Sequence, residues 1–358
     1  MEKIVRKYQL KRGLVLGKFA PLHIGHQYLI ETALQKCDEL YVVIYNCPET
    51  ISIPLNIRAD WIRHLYPQVT VIEAWDGPSE SGRSRRIKSL QENYLKRILP
   101  SPITHFFSSE WYGAHVSKAL GAIDVRVDMN RNNYPISATL VRSDPHKFRS
   151  FLNYYVYKDF VEKIVLLGAE STGKSTLSRY VAKKLATTFT PEYGRYYWTK
   201  YHDEKGKLTP DQLNDLALRH LQSEIKHRKK ANKYLIVDTN AHTTLMFHQY
   251  YHDKTNPKLE SLVRKVQDKY KYWFVCDTDI PYVNDGSRSG EYHRKVFQQK
   301  IIADLEKRGI NYQILSGSLE QRFEKLKQFV SINKRVYSNK TTFSSLGYNQ
   351  SCDNTTID

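Results

Sequence analysis

Cysteine is scarce in this sequence: Cys37, Cys47, Cys276 and Cys352 are scattered and never in C-x-x-C spacing. Neither a zinc site nor a disulfide framework is therefore indicated. Long apolar runs are also missing. Residues 164–167 are typical of the longest ones, far short of the roughly 20 residues that a membrane span needs. The basic N-terminus lacks the apolar core of a signal peptide. We therefore expect a cytoplasmic protein with no membrane partner.

Acidic residues are few relative to basic ones, since 55 Lys and Arg against 37 Asp and Glu leave a formal charge of +18. Such a charge attracts polyanions of any kind, including nucleic acid. Phosphorylated ligands together with a solvated lysine-rich surface would also account for it, and this is the interpretation that we favour. Charge alone does not separate the two interpretations. We expect no specific nucleic-acid partner.

With 358 residues and 41% hydrophobic content, the chain is long enough for two domains. Short apolar runs alternate with helical patterns in both halves, which predicts an α/β fold with two mainly parallel sheets. The predicted strands are 13–17, 40–45, 69–72, 103–107 and 123–127, then 163–167, 234–238 and 272–277. The predicted helices are 27–35, 57–65 and 88–98, then 176–185, 211–229, 257–269 and one after Ser318.

Composition sets the predicted domain limits. A basic tail, 1–12, precedes a first domain, 13–145, in which the Ser/Arg-rich stretch 79–84 is predicted as a loop over the sheet. A connecting segment, 146–160, leads to a second domain, 161–332. The remainder, 333–358, is rich in Asn, Ser and Thr and cannot offset the entropy of ordering, so we expect it to be disordered.

The string GAESTGKS, residues 168–175, satisfies G-x-x-x-x-G-K-[ST] between a predicted strand and a predicted helix. In such a P-loop the glycines let the backbone fold around phosphate, and backbone N–H groups and the helix N-terminus bind the anion. Lys174 would reach the β and γ oxygens of ATP, and Ser175 would ligate Mg²⁺. A glycine turn with a solvated lysine is the alternative. The expected nucleotide contacts are Gly168, Ala169, Glu170, Ser171, Thr172, Gly173, Lys174, Ser175 and Thr176.

A P-loop needs a second acid on a neighbouring strand to hold Mg²⁺. The apolar run 235–238 ends in Asp238, which is the candidate, although a turn residue at a strand end would look the same. Further along, the turn-rich segment 284–288 offers Asp285 and Arg288 as contacts that could close over phosphates. A solvated loop is the alternative for this segment.

The first half carries GKFAPLHIGH, residues 17–26, between a predicted strand and helix, where ligands bind in parallel sheets. His23 and His26 can donate hydrogen bonds to phosphate oxygens, and Gly25 lets a nucleotide approach the backbone. Histidines that only cap the helix are the alternative. The other contacts expected from this loop are Gly17, Lys18 and Phe19.

A second motif, ISATLVR, follows at 136–142. Ser137 and Thr139 offer hydroxyls at a helix start, and Arg142 offers a forked guanidinium for phosphate. Alone, this string predicts no more than a capped helix. Paired with H-x-G-H, it resembles the nucleotidyltransferase superfamily, specifically its adenylyltransferases for nicotinamide mononucleotide (NMN).

The order of motifs extends the resemblance. The two motifs above, the P-loop, EYGR at 192–195, Asp238-Thr239 and DGSR at 285–288 together resemble the bifunctional nicotinamide-nucleotide adenylyltransferase/ribosylnicotinamide kinases, the NadR-like proteins, over nearly all of 13–332. The resemblance implies a Rossmann-like nucleotidyltransferase domain followed by a P-loop kinase domain. It implies that nicotinamide riboside is phosphorylated by ATP to NMN, and that NMN is adenylylated by a second ATP to NAD and pyrophosphate. Mg²⁺ is implied at both sites, and assembly into a homo-oligomer stays open.

The resemblance also implies roles for particular residues. Lys18, His23, His26 and Arg142 would stabilise charge in the adenylyltransferase without a protein nucleophile. The nicotinamide nucleotide would lie near Ser109, and the riboside near Tyr193 and Arg195. Either Glu192 or Asp238 would accept the proton of the attacking hydroxyl, and the sequence leaves that choice open.

Two departures from the family pattern stand out. Asn240 occupies a position where several relatives carry a second acid, and an amide cannot act as a base. About a dozen residues precede the first predicted strand, too few for a helix-turn-helix, so we expect no repressor role through such a module. Two rival hypotheses remain: a nucleotide-sensing regulator that binds nucleic acid, and an adenylyltransferase for another phosphorylated acceptor. A class I aminoacyl-tRNA synthetase is disfavoured because no KMSKS-like element accompanies H-x-G-H.

Overall fold

The structure is a computed structural model, and it describes residues 10–78, 84–110, 113–204, 206–283 and 291–343. The chain separates into two compact units, Met1–Phe160 and Val161–Asp358. Each unit contains a five-stranded sheet in which every paired strand is parallel to its neighbour. The predicted α/β class with two parallel sheets is thereby confirmed.

In the first unit the sheet has the order β3-β2-β1-β4-β5. Its strands are β1 (Arg12–Gly17), β2 (Glu39–Tyr45), β3 (Thr70–Ala74), β4 (His105–Ser108) and β5 (Ile123–Arg126). Its helices are α1 (Ile24–Lys36), α2 (Leu55–Leu65), α3 (Arg85–Ile98), α4 (Ala114–Leu120), α5 (Ala138–Ser143) and α6 (Tyr154–Tyr157). Five consecutive residues of β2 are buried, because helices cover both faces of a parallel sheet.

The central strand of this sheet, β1, pairs with β2 on one side and with β4 on the other. The chain runs outward from β1 to β3 and then returns to β4, so the order reverses beside β1. A crevice forms at the carboxyl ends of the strands at such a reversal, and ligands bind there in open α/β sheets. The loop after β1 and the residues after β4 both lie at this edge.

The second unit has the sheet order β10-β9-β6-β8-β7. Its strands are β6 (Glu162–Leu167), β7 (Thr188–Thr190), β8 (Tyr234–Asp238), β9 (Tyr272–Cys276) and β10 (Tyr312–Leu315). Its helices are α7 (Lys174–Lys184), α8 (Gly194–Tyr201), α9 (Pro210–Arg228), α10 (Ala241–His252), α11 (Pro257–Gln267), α12 (Glu291–Lys307) and α13 (Leu319–Phe343). The central strand β6 is fully buried from Ile164 to Leu167.

The C-terminal helix extends further than composition predicted. Phe323, Leu326 and Val330 of α13 are buried in the core of the second unit, and a helix anchored in this way propagates at little cost per residue. It continues to Phe343, inside the segment 333–358 that was expected to be disordered. Residues 344–358 lie outside the described residues, as do 79–83 of the predicted Ser/Arg-rich loop. No helix in the described part of the chain has both the length and the apolarity to cross a membrane.

Candidate phosphate-binding sites

A buried arginine shapes the loop that follows β1. Arg58 of α2 is 1% exposed, and its guanidinium donates hydrogen bonds to the carbonyl oxygens of Lys18, Tyr45 (3.2 Å) and Ile53 (3.1 Å). A buried guanidinium needs such acceptors, and here the backbone of the loop supplies one of them. Arg58, which belongs to none of the sequence motifs, therefore stabilises the backbone of this loop.

The two histidines of H-x-G-H cap α1 and face each other. The Gly25 N–H donates to His23 Nδ1 at 3.2 Å, the His23 N–H donates to His26 Nδ1 at 3.4 Å, and the rings stack with centroids 3.8 Å apart. An imidazole whose Nδ1 accepts a hydrogen bond carries its proton on Nε2, so His23 has an Nε2–H available to donate. At His23, capping and phosphate binding are thus compatible, because they use opposite ring nitrogens.

Burial keeps both rings neutral. It lowers the pKa of His23 to about 4, with a smaller contribution from the charge of Arg131, and lowers the pKa of His26 well below its usual value. A hydrogen bond with the Pro21 backbone opposes that shift at His26. At neutral pH these histidines are therefore neutral donors and not imidazolium cations.

The second motif meets this loop as expected. Ser137 caps α5 by accepting a hydrogen bond from the Leu140 N–H at 3.1 Å. Arg142 donates to the Ala20 carbonyl at 2.6 Å and to Thr139 Oγ1 at 3.0 Å. A residue 122 positions away is thereby joined to the loop after β1. The structure brings the two motifs together.

The other predicted residues of this site have distinct surroundings. Lys18 forms an exposed ion pair with Glu49, Nζ to Oε1 3.1 Å. Phe19 is 1% exposed and packs edge-on against His26, so it supports the loop from within. A Cβ at Gly17 would lie 3.1 Å from the Phe19 ring, and one at Gly25 3.1 Å from the His23 ring. Ser109 directly follows β4, at the crevice edge of the sheet.

The P-loop of the second unit joins β6 to α7. Gly168 has φ 138°, and a Cβ there would lie 2.7 Å from the Cys276 carbonyl oxygen, so only glycine fits. Gly173 also has a positive φ, 79°. The Ala169 N–H donates to Gln298 Oε1 at 2.8 Å, and Arg322 donates to the Thr172 carbonyl at 2.7 Å. Helices α12 and α13 therefore brace the loop.

Asp238 ends β8 beside this loop, and strand register pairs it with Leu166. It is 1% exposed, and neither carboxylate oxygen has a hydrogen-bond partner of normal geometry among the described residues. Burial raises its pKa to about 6, as does the charge of Glu192, whereas Lys174 and Ser175 lower it. A buried carboxylate whose oxygens accept no hydrogen bond of normal geometry from the described residues, with the P-loop Ser175 beside it, suits a hard cation.

A cavity of about 460 Å³ opens over the P-loop. Apart from the P-loop and the start of α7, its lining comes from 189–216 and 238–251. The predicted contacts in the lining are Gly168, Glu170, Ser171, Thr172, Gly173, Lys174, Ser175, Thr176, Glu192, Arg195 and Asp238. Lys174 is buried and donates to the Ala169 carbonyl at 2.7 Å.

Two predicted contacts, Ala169 and Tyr193, do not line this cavity, and Ala169 is fully buried. Tyr193 packs against a cluster that includes Leu208 and Leu213. Asn240 is buried as the N-cap of α10, where its Oδ1 accepts a hydrogen bond from the His242 N–H at 3.1 Å. Position 240 therefore has a structural task as the cap of α10, and Asn240 is not among the residues that line the cavity. Asp285 and Arg288 lie outside the described residues.

Sequence reasoning missed several cavity residues. Trp198 of α8 and Thr243, Phe247 and Tyr251 of α10 line the cavity. The only signal for the last three is their spacing of four residues within a stretch not predicted as a helix. Groups of three or more His, Cys, Asp or Glu side chains that could hold a metal are absent from the described residues. Mg²⁺ sites commonly use one or two carboxylates with substrate phosphates, so this finding is compatible with Asp238 as a ligand.

Comparisons with known proteins agree with both halves. Residues 14–144 match the cytidylyltransferase-like family, and residues 163–322 match the AAA domain family. The chain is 30% identical over 325 residues to the trifunctional NAD biosynthesis/regulator protein NadR of Salmonella typhimurium strain LT2, covering 84% of this chain and 77% of that protein. The NadR protein of Escherichia coli strain K12 is 29% identical over 326 residues, with the same coverage.

Solved structures show the same fold. The chain resembles the crystal structure of a NadR protein in complex with NR, with a TM-score of 0.65 and 20% identity, over 89% of this chain and 94% of that one. A NadR protein in complex with NAD and AMP-PNP matches with a TM-score of 0.64 and 20% identity, over 87% and 92%. The presence of two α/β units in one chain is therefore a known fold.

Proposed function

Because this chain belongs to the NadR family of NAD biosynthesis proteins, we propose that its second unit phosphorylates nicotinamide riboside with ATP and its first unit adenylylates the resulting NMN. Together the two reactions convert nicotinamide riboside and two molecules of ATP into NAD, ADP and pyrophosphate. The observation that carries this proposal is the presence of two separate phosphate-binding loops, one after the central strand of each sheet. Two loops match two successive reactions of ATP.

In the adenylyltransferase reaction, the 5′-phosphate of NMN attacks the α-phosphorus of ATP and pyrophosphate leaves. The residues around the loop contribute donors and charge. His23 donates through Nε2–H, Arg142 supplies a guanidinium, and Lys18 can exchange its exposed Glu49 partner for phosphate. The rate enhancement comes from positioning and charge stabilisation, because the reaction needs no protein nucleophile.

In the kinase reaction, the 5′-hydroxyl of the riboside attacks the γ-phosphorus of ATP and loses its proton. Lys174 stabilises charge on the transferred group from the P-loop. Ser175 and Asp238 would hold Mg²⁺, which when bound would neutralise charge on the β and γ oxygens. Glu192 is half-buried in the cavity wall, and among the described lining residues it is the carboxylate outside the P-loop that remains besides Asp238. For this reason we assign Glu192 as the general base that accepts the proton of the hydroxyl.

The test incubates the full chain with ATP, Mg²⁺ and nicotinamide riboside and follows NMN and NAD by chromatography. Lys174→Ala should block NMN formation, while added NMN is still converted to NAD. His23→Asn should let NMN accumulate, because asparagine still caps a helix but lacks the Nε2–H donor. Lys184→Ala, at the other end of α7, is the control for Lys174.

Two outcomes would contradict the proposal. Failure of the unaltered chain to form product from either riboside or NMN would remove both activities. Equal loss of both steps in Lys174→Ala would contradict the assignment of one reaction to each loop.

A further inference from the structure

Arg131 of the first unit has a guanidinium that the motifs and the mechanism above do not use. It lies between β5 and α5, and its side chain is 48% exposed. Its one ion pair among the described residues joins Nη2 to Glu110 Oε1 at 3.6 Å, which is too long for a hydrogen bond. By contrast, Arg58 and Arg126, which contact the same edge of the sheet, donate to the backbone carbonyls of Lys18 and Glu110. Arg131 can therefore exchange its weak ion pair for a ligand.

The charge of Arg131 acts on both histidines of the loop after β1. It contributes to lowering the pKa of His23 and that of His26. The interaction between two charges weakens as their separation grows, so the guanidinium lies close to both rings. Its partner Glu110 lies two residues beyond the end of β4. Arg131 is thus located between the loop after β1 and the segment after β4, the two borders of the crevice.

A braced turn holds Arg131 in this place. The Asp128 carboxylate accepts hydrogen bonds from the N–H groups of Asn133 at 3.2 Å and Tyr134 at 3.3 Å, and the Arg131 N–H donates to the Asp128 carbonyl at 2.9 Å. Arg131 itself has φ 54°, a left-handed conformation that a residue other than glycine keeps only where its surroundings enforce it. The Tyr134 ring contacts Tyr28 of α1, with centroids 5.4 Å apart. The turn is therefore attached to the helix that the histidines cap.

The proposed adenylyltransferase reaction needs a positive charge beside these histidines. A phosphate oxygen of NMN forms a bond to the α-phosphorus of ATP, and the bond from that phosphorus to the bridging oxygen of the β-phosphate breaks. The electron pair of the broken bond leaves with pyrophosphate, so negative charge grows on the leaving group. His23 and His26 are neutral at pH 7 and bring hydrogen bonds but no charge. A cation beside them stabilises the transition state.

The leaving group benefits from such a cation more than NMN does. The 5′-phosphate of NMN is the nucleophile, and it gives up negative charge as it attacks. A cation bound to that phosphate would stabilise the ground state more than the transition state and would slow the attack. A cation bound to the β and γ phosphates has the opposite effect, because their charge increases during the reaction.

We propose that Arg131 is a further catalytic residue of the first unit, and that its guanidinium leaves Glu110 to bind the β and γ phosphates of ATP and the pyrophosphate formed from them. The braced turn positions this guanidinium beside His23 and His26. The inference rests on the adenylyltransferase reaction proposed above.

The first experiment measures NAD formation by the full chain from NMN, ATP and Mg²⁺, which bypasses the kinase reaction. Arg131→Gln should lower kcat/KM for ATP by about ten- to a hundred-fold, the size of a hydrogen bond with a charged group, and leave the KM for NMN unchanged. Arg131→Lys should recover part of the loss, because lysine keeps the charge but lacks the forked donors. Arg97→Gln is the matched control, since Arg97 is an exposed arginine of α3 that pairs with Asp76.

The second experiment runs the reaction backwards, from NAD and pyrophosphate to NMN and ATP. Arg131→Gln should raise the KM for pyrophosphate by about ten- to a hundred-fold and leave the KM for NAD unchanged, because NAD does not contain the leaving group. Glu110→Gln should lower the KM for pyrophosphate by about two- to five-fold, because it removes the carboxylate that competes for Arg131. A merely structural role would not shift the two variants in opposite directions.

Four results would overturn the inference. The KM for pyrophosphate could stay unchanged in Arg131→Gln, or fail to fall in Glu110→Gln. A rise in the KM for NMN and NAD, with ATP and pyrophosphate unaffected, would assign Arg131 to the nicotinamide nucleotide. Equal losses for all four substrates would leave Arg131 only a structural role. Failure of the unaltered chain to form NAD from NMN would instead remove the proposed adenylyltransferase function itself.

Discussion

Asp238 is a buried carboxylate to which the described part of the protein gives no hydrogen bond of normal geometry. Its charge is therefore costly, and the rise of its pKa from 3.8 to about 6 corresponds to roughly 3 kcal/mol. We expect Asp238→Asn to raise the free energy of unfolding of the second unit at pH 7.5 by about 1–3 kcal/mol. The same change should lower the kinase rate by a factor on the order of 100 or more.

The pH dependence of that stability difference follows from the sign of the shift. Below about pH 4 the carboxyl is protonated in both the folded and the unfolded chain, so the charge costs nothing. Between about pH 4 and 6 the carboxyl of Asp238 ionises in the unfolded chain but stays protonated in the folded chain, so the loss of folding stability grows with pH. Above about pH 6 the carboxyl is ionised in both states, and this loss is constant. Hydrogen exchange of the β8 amides at pH 4.5 and 7.5 measures the difference. If the unaltered chain were more stable than the Asp238→Asn variant at pH 7.5, the buried charge of Asp238 would not be destabilising.

His23 gives a second expectation at this scale. Its pKa of about 4 leaves the ring neutral between pH 5 and 8, so the adenylyltransferase rate should show no ionisation near pH 6.5 that belongs to this residue. NMR titration of His23 should find its midpoint near 4. Arg131→Ala should raise the pKa, because the charge of Arg131 contributes to lowering it. A midpoint near 6.5 in the unaltered chain would show that the ring is solvated.

Single residues were predictable where local sequence determines their role. Gly168, Gly173 and Lys174 follow from the constraints of a phosphate loop, and the structure places all three around one cavity. Arg58 was not predictable, because it reaches the loop from 40 residues away and lies in an ordinary helical pattern. Thr243 was missed for a similar reason, because it lines a cavity that only the tertiary fold creates.

At the scale of elements, a buried ion pair joins α9 to β6. Lys163 Nζ lies 2.6 Å from Glu224 Oε2, Tyr270 donates to Glu224 at 2.7 Å, and the Glu224 side chain is fully buried. Glu224→Gln should destabilise the second unit by about 3–5 kcal/mol, because Lys163 would remain buried without a counter-charge. Thermal inactivation of the kinase activity measures this loss.

The double variant Lys163→Met/Glu224→Leu is the control for that expectation. Replacing both charges with apolar groups of similar size removes the unpaired charge as well as the pair, so most of the stability should return. An equal loss in the single and double variants would show that the pair itself, and not the isolated lysine, determines stability.

A continuous apolar run was enough to predict a strand, whereas several short or irregularly patterned elements were missed. The strand at Tyr234–Asp238 was predicted at its observed limits because its apolar run is continuous. Helix α10 was missed: seven of its twelve residues are buried, among them histidines and threonines, so no single apolar stripe marks it. Strand β7 has only three residues, too few for any pattern to show.

At the scale of the whole molecule, the alternation of apolar runs with helical patterns was enough to predict two mainly parallel α/β sheets. β-α-β alternation predicts that a loop joins each strand to a helix at the carboxyl edge of the sheet, and the structure shows that the two phosphate loops follow the central strands. Strand order required the structure, because the sequence contains no signal for which strands pair. The limits 13–145 and 161–332 stay predictions beside the observed division at Phe160.

The net charge of +18 leads to a last expectation, which separates the enzyme from a regulator that binds nucleic acid. A basic surface retains DNA by releasing counterions, so affinity falls steeply with salt and ignores sequence. For a 20-base-pair duplex we expect Kd no tighter than about 10⁻⁶ M at physiological salt, and the same value for a scrambled duplex. Fluorescence anisotropy at 50 and 200 mM salt measures both. Tight binding that discriminates between the two duplexes and persists at 200 mM would require base contacts, which charge alone cannot supply, and would favour the regulator.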